Sequence, residues 1–315
     1  MIRLTSKYKI GDLIWNGVIS TEISSSYDQL TDTCTIEFPR RVSWQGKDLA
    51  SGDNPLIRRG DAVEIELGYD DNNKSVFKGY VRQIKTNSPV EVVCEDEAYK
   101  LKQGAITKSY KDVDLKTLLQ DTLGDIPFMA PDIRLGPFRV SKATPAKVLQ
   151  YLKEKYFLKS FFRDGVLYVG LAVWPELQRK ATVRFDLHVV ENNLEYQKSE
   201  DIKIKLKLIN MTKDNKKEEY EFGDPDGEQR TMHYYDLSSK EINKIGAEQV
   251  ERLKYEGYRG TVTIFGEPQF RHGDIVEFID PFYPERDGSY IIKQVSTSFG
   301  LDGYRQVLTP DIKVA

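Results

Sequence analysis

The chain has 315 residues, a length that predicts two domains, or three if small ones are counted. Its 46 Lys and Arg nearly balance 49 Asp and Glu, and the formal charge of −3 argues against a general nucleic-acid or membrane-surface binder. Three His and two Cys are few for metal or thiol chemistry, whereas 18 Tyr, apolar in body and polar at the tip, suit strands and contact surfaces.

Residues 1 to about 104 read as strands. Leu30, Asp32, Cys34, Ile36 and Phe38 alternate with Thr31, Thr33, Thr35 and Glu37, nearly the period-2 pattern of a half-buried strand. Val63, Ile65 and Leu67 alternate with Glu64 and Glu66 in the same way. A loop rich in Ser, Gly, Asp, Asn and Pro (51–55) lies between them, and Asp70-Asp71-Asn72-Asn73 reads as a hairpin turn.

The period then changes. Leu115, Leu118, Leu119 and Leu123 share a helical face, with Asp114 or Asp112 as cap and Gly124 as terminator. Thr144-Pro145 opens a second helix, a capping hydroxyl before a proline at the first helical position, with the stripe Val148, Leu149, Leu152 and Tyr156. Two short strands follow around Asp164-Gly165, and Trp174-Pro175-Glu176 marks the exit of this small α/β unit. Strand patterning returns from Thr182. Ile202, Ile204, Leu206 and Leu208 face one way, and Lys203, Lys205 and Lys207 the other. After the turn Asp224-Pro225-Asp226-Gly227, Ser238 and Glu241 fit a capping box for a helix with the stripe Ile242, Ile245, Val250 and Leu253. Residues 258–312 are strands again.

The most informative feature is a repeat. Arg58-Arg59-Gly60-Asp61-Ala62-Val63-Glu64 matches Arg271-His272-Gly273-Asp274-Ile275-Val276-Glu277 at five positions of seven. Downstream, Val81-Arg82-Gln83-Ile84-Lys85-Thr86 resembles Ile292-Lys293-Gln294-Val295-Ser296-Thr297. The spacing from Val63 to Gln83 is 20 residues and from Val276 to Gln294 is 18, the difference a changed hairpin loop gives. The period is too long for a solenoid. The expected fold is therefore mainly β with α+β parts: two related β-barrel domains (1–104; 181–225 with 258–315), a small α/β domain between them (105–180) and a helical insertion in the second barrel (226–257).

Barrel, small α/β unit and interrupted second barrel, in that order, resemble the baseplate hub proteins of contractile phage tails. These include the Mu-like and T4-like hubs, the late control protein D family and the hub portion of type VI secretion spikes. The strongest local match is Ser141–Gly170 (SKATPAKVLQYLKEKYFLKSFFRDGVLYVG), and Phe185–Tyr196 (FDLHVVENNLEY) also looks like them. In architecture the resemblance covers nearly the whole chain, on motifs that are structural in kind. The chain stops soon after the second barrel, unlike fused type VI spikes, so a separate spike protein is expected. The resemblance implies a homotrimer in which two similar barrels per chain give a pseudo-sixfold ring under a sixfold tail tube and a threefold face towards a trimeric spike. It implies as partners further copies of the chain, the tail tube protein, the spike and other baseplate proteins. The expected place is the virion tail baseplate, after assembly in the bacterial host cytoplasm.

Reactive chemistry is sparse. His188, His233 and His272 lie in three segments, none with a second His or Cys at ligand spacing, and no metal or other cofactor is expected. Asp224, Asp226 and Glu228 lack the ligand pattern of an EF-hand loop and read as a solvated turn. Cys34 and Cys94 lie in strand-like runs and read as buried reduced thiols of a cytosolic product, and the segment Met1–Lys7 has no apolar core of signal-peptide length. No nucleophile elbow, zinc-protease motif or P-loop is present. No enzyme is expected; a peptidoglycan-degrading tail enzyme, which needs only two well-placed carboxylates, and a carbohydrate-binding tail-tip adhesin are the alternatives. Lys203, Lys205 and Lys207 either guard a sheet edge or meet an acidic partner. The run Lys213–Glu219 reads as a solvated loop.

Overall fold

Alternating side chains put one face of each early strand on a core, and the computed structural model shows which. It describes residues 3–39, 43–44, 47–48, 55–170, 174–212, 216–254 and 256–314; the loop at 51–54 and the run 213–215 lie outside the described residues. Strands β1 (Leu4–Ile10), β2 (Leu13–Trp15), β3 (Ser20–Ser26) and β4 (Thr33–Phe38) bury Tyr8, Ile10, Ile23, Cys34, Ile36 and Phe38. The two-residue strands β5 (Ser43–Trp44) and β6 (Lys47–Asp48) pair with each other. Next come β7 (Ala62–Tyr69), β8 (Asn72–Lys85) and β9 (Val90–Glu95). Asp70 and Asp71 join β7 to β8 with positive φ of 50° and 66°, the turn that suits the right-handed twist of two strands.

The middle of the chain holds α1 (Ala98–Leu101), β10 (Ile106–Asp114), α2 (Leu115–Leu123), β11 (Phe128–Met129), β12 (Arg134–Ala143), α3 (Pro145–Tyr156), β13 (Lys159–Arg163) and β14 (Val166–Gly170). Asp114 caps α2 through the Thr117 amide, and Thr144 caps α3 through the Lys147 amide, as their spacing predicts. Leu115, Leu118, Leu119, Val148, Leu149 and Leu152 share one core. Truncating any of these leucines to Ala costs about 2–5 kcal/mol, so this core fixes both helices. The second half contains β15 (Lys180–Arg184), β16 (Val189–Gln197), β17 (Ile204–Met211), β18 (Lys217–Gly223), β19 (Glu228–Tyr235), α4 (Ser239–Leu253), β20 (Gly257–Phe265), β21 (Ile275–Ile279), β22 (Gly288–Gly300) and β23 (Gly303–Val314).

The repeat is geometric as well as textual. In each copy the Asp of the Gly-Asp turn accepts a hydrogen bond from the Arg amide three residues back, Asp61 Oδ2 at 2.7 Å and Asp274 Oδ2 at 2.8 Å. Gly60 N donates to the Val81 carbonyl at 2.8 Å, and Gly273 N to the Ile292 carbonyl at 2.7 Å. Both glycines sit at positive φ, 91° and 84°, a conformation only glycine adopts without strain. The two halves also repeat one strand order, β3-β4-β9-β8-β7-β1 and β16-β20-β23-β22-β21-β15. They differ at the last step: β1 runs antiparallel to β7, whereas β15 runs parallel to β21.

The protein is mainly β, but its strands are not closed into barrels. One sheet of 13 strands runs through both halves, because β3 pairs with β22. That seam occupies the edge of β3 that closure onto β1 would need, and the hairpin strand β2 occupies the outer edge of β1. The stretch 204–223 does not join this sheet. It forms β17 and β18 of a separate three-stranded sheet, ordered β18-β17-β19, which α4 covers around Leu206, Leu208 and Ile242.

Candidate functional site

Where the two halves and the α/β unit meet, charged groups are buried together. The loop before β21 brings His272 and Asp274, the end of β3 brings Ser25, and β13 brings Arg163. Arg163 Nη2 lies 2.7 Å from Asp274 Oδ1, with side chains 5% and 2% exposed, and Arg163 Nη1 donates to the His272 carbonyl at 3.1 Å. On the rim, Arg271 Nη1 meets Asp164 Oδ1 at 2.7 Å. Ser25 Oγ lies 2.8 Å from His272 Nδ1 and donates to Asp32 Oδ2 at 2.6 Å, while the Ser26 amide donates to Asp32 Oδ1. A cleft of about 430 Å³ opens beside them, lined by Asp32, Asp96, Arg163, Arg271 and His272 among others.

Burial pushes the Asp32 carboxyl up to about 7 and raises Asp96 as well, with the Asp32 charge adding to the second shift. Burial and the nearby Arg163 and Arg271 charges push His272 down to about 3. At neutral pH the imidazole is therefore uncharged. The trio Ser25, His272 and Asp32 is not a nucleophilic relay. In such a relay the carboxylate holds the imidazole on the side away from the hydroxyl. Here Asp32 and His272 meet the same hydroxyl, and His272 Nε2 is buried without a hydrogen-bond partner among the described residues. The arrangement fits the surfaces of three units together and leaves no activated nucleophile.

Lys203, Lys205 and Lys207 lie elsewhere. They line the outward face at β17, and β17 is the central strand of its sheet, so the edge-guarding expectation is corrected: they border no sheet edge. Lys205 meets Glu221 at 3.0 Å and Lys207 meets Glu219 at 2.7 Å. Lys207 and Lys217 together hold the Glu219 carboxyl down to about 2. The 217–219 part of the predicted loop is the start of β18. His188 accepts from the Arg184 amide within a turn, and His233 stacks on Phe157. Asp224 caps the Ile204 amide and meets Lys254 at 2.7 Å, so its carboxylate is engaged within the protein. Among the described residues no group of three or more His, Cys, Asp or Glu is placed to hold a metal ion. Cys34 and Cys94 are free, buried and directly opposite each other on β4 and β9.

The polar junction was only partly legible in sequence. Asp32 stands in the apolar register of its strand, between Leu30 and Cys34, and an acid there signals a buried polar contact. Asp274 belongs to the repeat motif. Nothing local marks Ser25 or Arg163.

No family model and no curated protein matches the chain. Solved structures do. A tail protein of Neisseria meningitidis MC58 has 15% identity and a TM-score of 0.64, with 99% of this chain and 96% of that one covered. The 43 kDa tail protein of prophage MuSo2 from Shewanella oneidensis has 15% identity and a TM-score of 0.62, with 98% of each chain covered. An E. coli component of the type VI secretion system, itself structurally similar to T4 bacteriophage tail proteins, has 10% identity and a TM-score of 0.59 over 100% of this chain and 77% of that one. The structural neighbours are thus phage tail and type VI secretion proteins, and the resemblance read from the sequence holds at the level of the fold along the whole chain.

Proposed function

We propose that the protein is the structural hub of a tail baseplate in a phage or phage-like injection device, a homotrimer joining the tail tube to the central spike. The observation that supports this most is the repetition of one strand order and one turn geometry within a chain that has the fold of tail proteins. Two like units per chain let three chains present six to a sixfold tube and three to a threefold spike. The units are two barrel-like halves (1–104; 181–225 with 258–315), the α/β unit (105–180) and the insertion (226–257), which the sheet strands of 204–223 accompany. The action is mechanical: a rigid ring seats the tube and transmits or releases the spike. Its place is the virion tail baseplate, with assembly in the host cytoplasm. Lys203, Lys205 and Lys207 form a partner-facing strip on the small sheet beside the insertion.

The test is solution mass by light scattering together with negative-stain imaging. Three chain masses and ring-shaped particles are expected, and a strict monomer at micromolar concentration would overturn the reading. A second reading, a cell-wall-cutting tail enzyme, is favoured by one observation: Asp32 and Asp96 line a cleft, one of them raised to about 7, the range a general acid needs. The hub reading expects no loss of turbidity in a peptidoglycan suspension. Lysis that disappears in Asp96→Asn would replace it.

A further inference from the structure

The seam between β3 and β22 is the only place where the two repeated halves pair with each other among the described residues, and it uses one strand from each. Quasi-equivalence asks what becomes of the counterpart strands. The register of the repeat answers. Gln83, Ile84 and Lys85 on β8 correspond to Gln294, Val295 and Ser296 on β22, since they face Val93, Val92 and Glu91 of β9 as the latter face Thr309, Leu308 and Val307 of β23. Carrying the alignment through β4 and β20 places Leu194, Glu195, Tyr196 and Gln197 of β16 on Ile23, Ser24, Ser25 and Ser26 of β3. Both counterparts lack a second partner among the described residues. Residues 83–85 pair only with β9, and β16 pairs only with β20.

We infer that β8 of one copy of the chain pairs antiparallel with β16 of the next, repeating between chains the seam that β22 and β3 make within one. The inference rests on the hub reading and supplies its subunit contact. The template sets Gln294, Val295 and Ser296 against Ser26, Ser25 and Ser24, so the new seam sets Gln83 against Gln197, Ile84 against Tyr196 and Lys85 against Glu195. The chemistry suits that register. Lys85 and Glu195 are exposed and of opposite charge, and such a cross-strand pair favours one alignment over its neighbours. Arg59 occupies the place of His272, the residue that crosses the internal seam to Ser25. Arg59 borders a depression shared with Arg82, Gln83 and Ile84, where Tyr196 of the next copy takes the place of Ser25. Arg82 occupies the place of Lys293, which meets Asp28 just past β3 at 2.9 Å, while Glu200 and Asp201 lie just past β16. Two different edges of one chain make the contact, so it is head-to-tail and generates a ring when the rotation closes.

The test is a cysteine pair. Lys85→Cys with Glu195→Cys is oxidised and run on a denaturing gel, with light scattering on the same sample before denaturation. Ser24→Cys with Ser296→Cys, the matching pair of the internal seam, is the control that a bridge closes at this register. The native Cys34 and Cys94 are buried in the first core and stay silent. Covalent dimers and trimers are expected from the first variant and a bridged monomer from the control. Native trimers that stay unlinked while the control bridges would overturn the seam and leave the hub reading standing. A wild-type monomer would remove both.

Discussion

Asp32, Ser25 and His272 show how one hydroxyl binds two titrating groups from distant segments. The Asp32 pKa rises from 3.8 to about 7, so its contribution to stability is fully present below 3.8 and is lost as pH rises through 7. The His272 pKa falls from 6.5 to about 3, so its contribution is present above 6.5 and is lost as pH falls towards 3. Between 3.8 and 6.5 the two slopes have opposite sign and partly offset each other, with Asp96 on the side of Asp32. Asp32→Asn is expected to unmask the imidazole, so that the urea midpoint falls more steeply below pH 6.5 than in wild type. His272→Gln is expected to unmask the carboxyls, so that the midpoint falls as pH rises from 3.8 to 7. Superimposable profiles for all three proteins would sink the assignment. The Arg163–Asp274 pair is buried on both sides, so Asp274→Ala strands a guanidinium and is expected to lower stability by about 3–5 kcal/mol in urea unfolding. A loss within the range of exposed pairs, about 0–1 kcal/mol, would show that water reaches the site.

At the scale of elements, caps and stripes are local and were readable. Ser238 and Glu241 make the reciprocal capping box their spacing predicts, and Ile242 packs under α4 with Leu206 and Leu208. Ser238→Ala is expected to lower stability by about 1 kcal/mol, measured by thermal melting, and unchanged melting would mean that packing alone holds the helix start. The hairpins at Asp70-Asp71 and Asp164-Gly165 were equally legible, since positive φ at both central positions selects such residues. Strands β10 and β12 were not. Their ladder carries register irregularities between Ile106 and Lys108 and between Tyr110 and Asp114, and each slip breaks the alternation by which a strand is recognised. Spacing between the helices gave no substitute signal.

For the whole molecule, the outward lysines of β17 separate fold from assembly. Their ion pairs with Glu219 and Glu221 are half-exposed and screened by water, too weak to hold the sheet. Replacing Lys203, Lys205 and Lys207 by Glu is expected to leave the circular dichroism spectrum intact and to reduce co-assembly with tube or spike in a pull-down. Undiminished co-assembly would remove these lysines from the partner surface. The apolar tips point the same way: Phe282 is 81% exposed in the loop between β21 and β22, where the first half has only the two-residue turn at Asp70-Asp71. Under the proposed hub reading, a side chain present on one of two like halves cannot serve a sixfold partner evenly, so that loop is expected among the threefold contacts.

The sequence alone determined the strands that alternate, the three longer helices with their caps, and a repeat whose register proved geometric. These are short-range facts, set by side-chain period, by φ preferences at Gly60 and Gly273, and by hydroxyls placed beside free amides. Tertiary structure alone decided which edges meet. Backbone hydrogen bonds are blind to side-chain identity, so alternation tells which face of β3 is buried but not that β22, more than 260 residues away, takes its edge. For the same reason the two predicted barrels became one continuous open sheet, and Lys205 and Lys207 found a central strand instead of an edge. The polar junction of Ser25, Asp32, Arg163, His272 and Asp274 exists only because that seam carries three distant segments to one place.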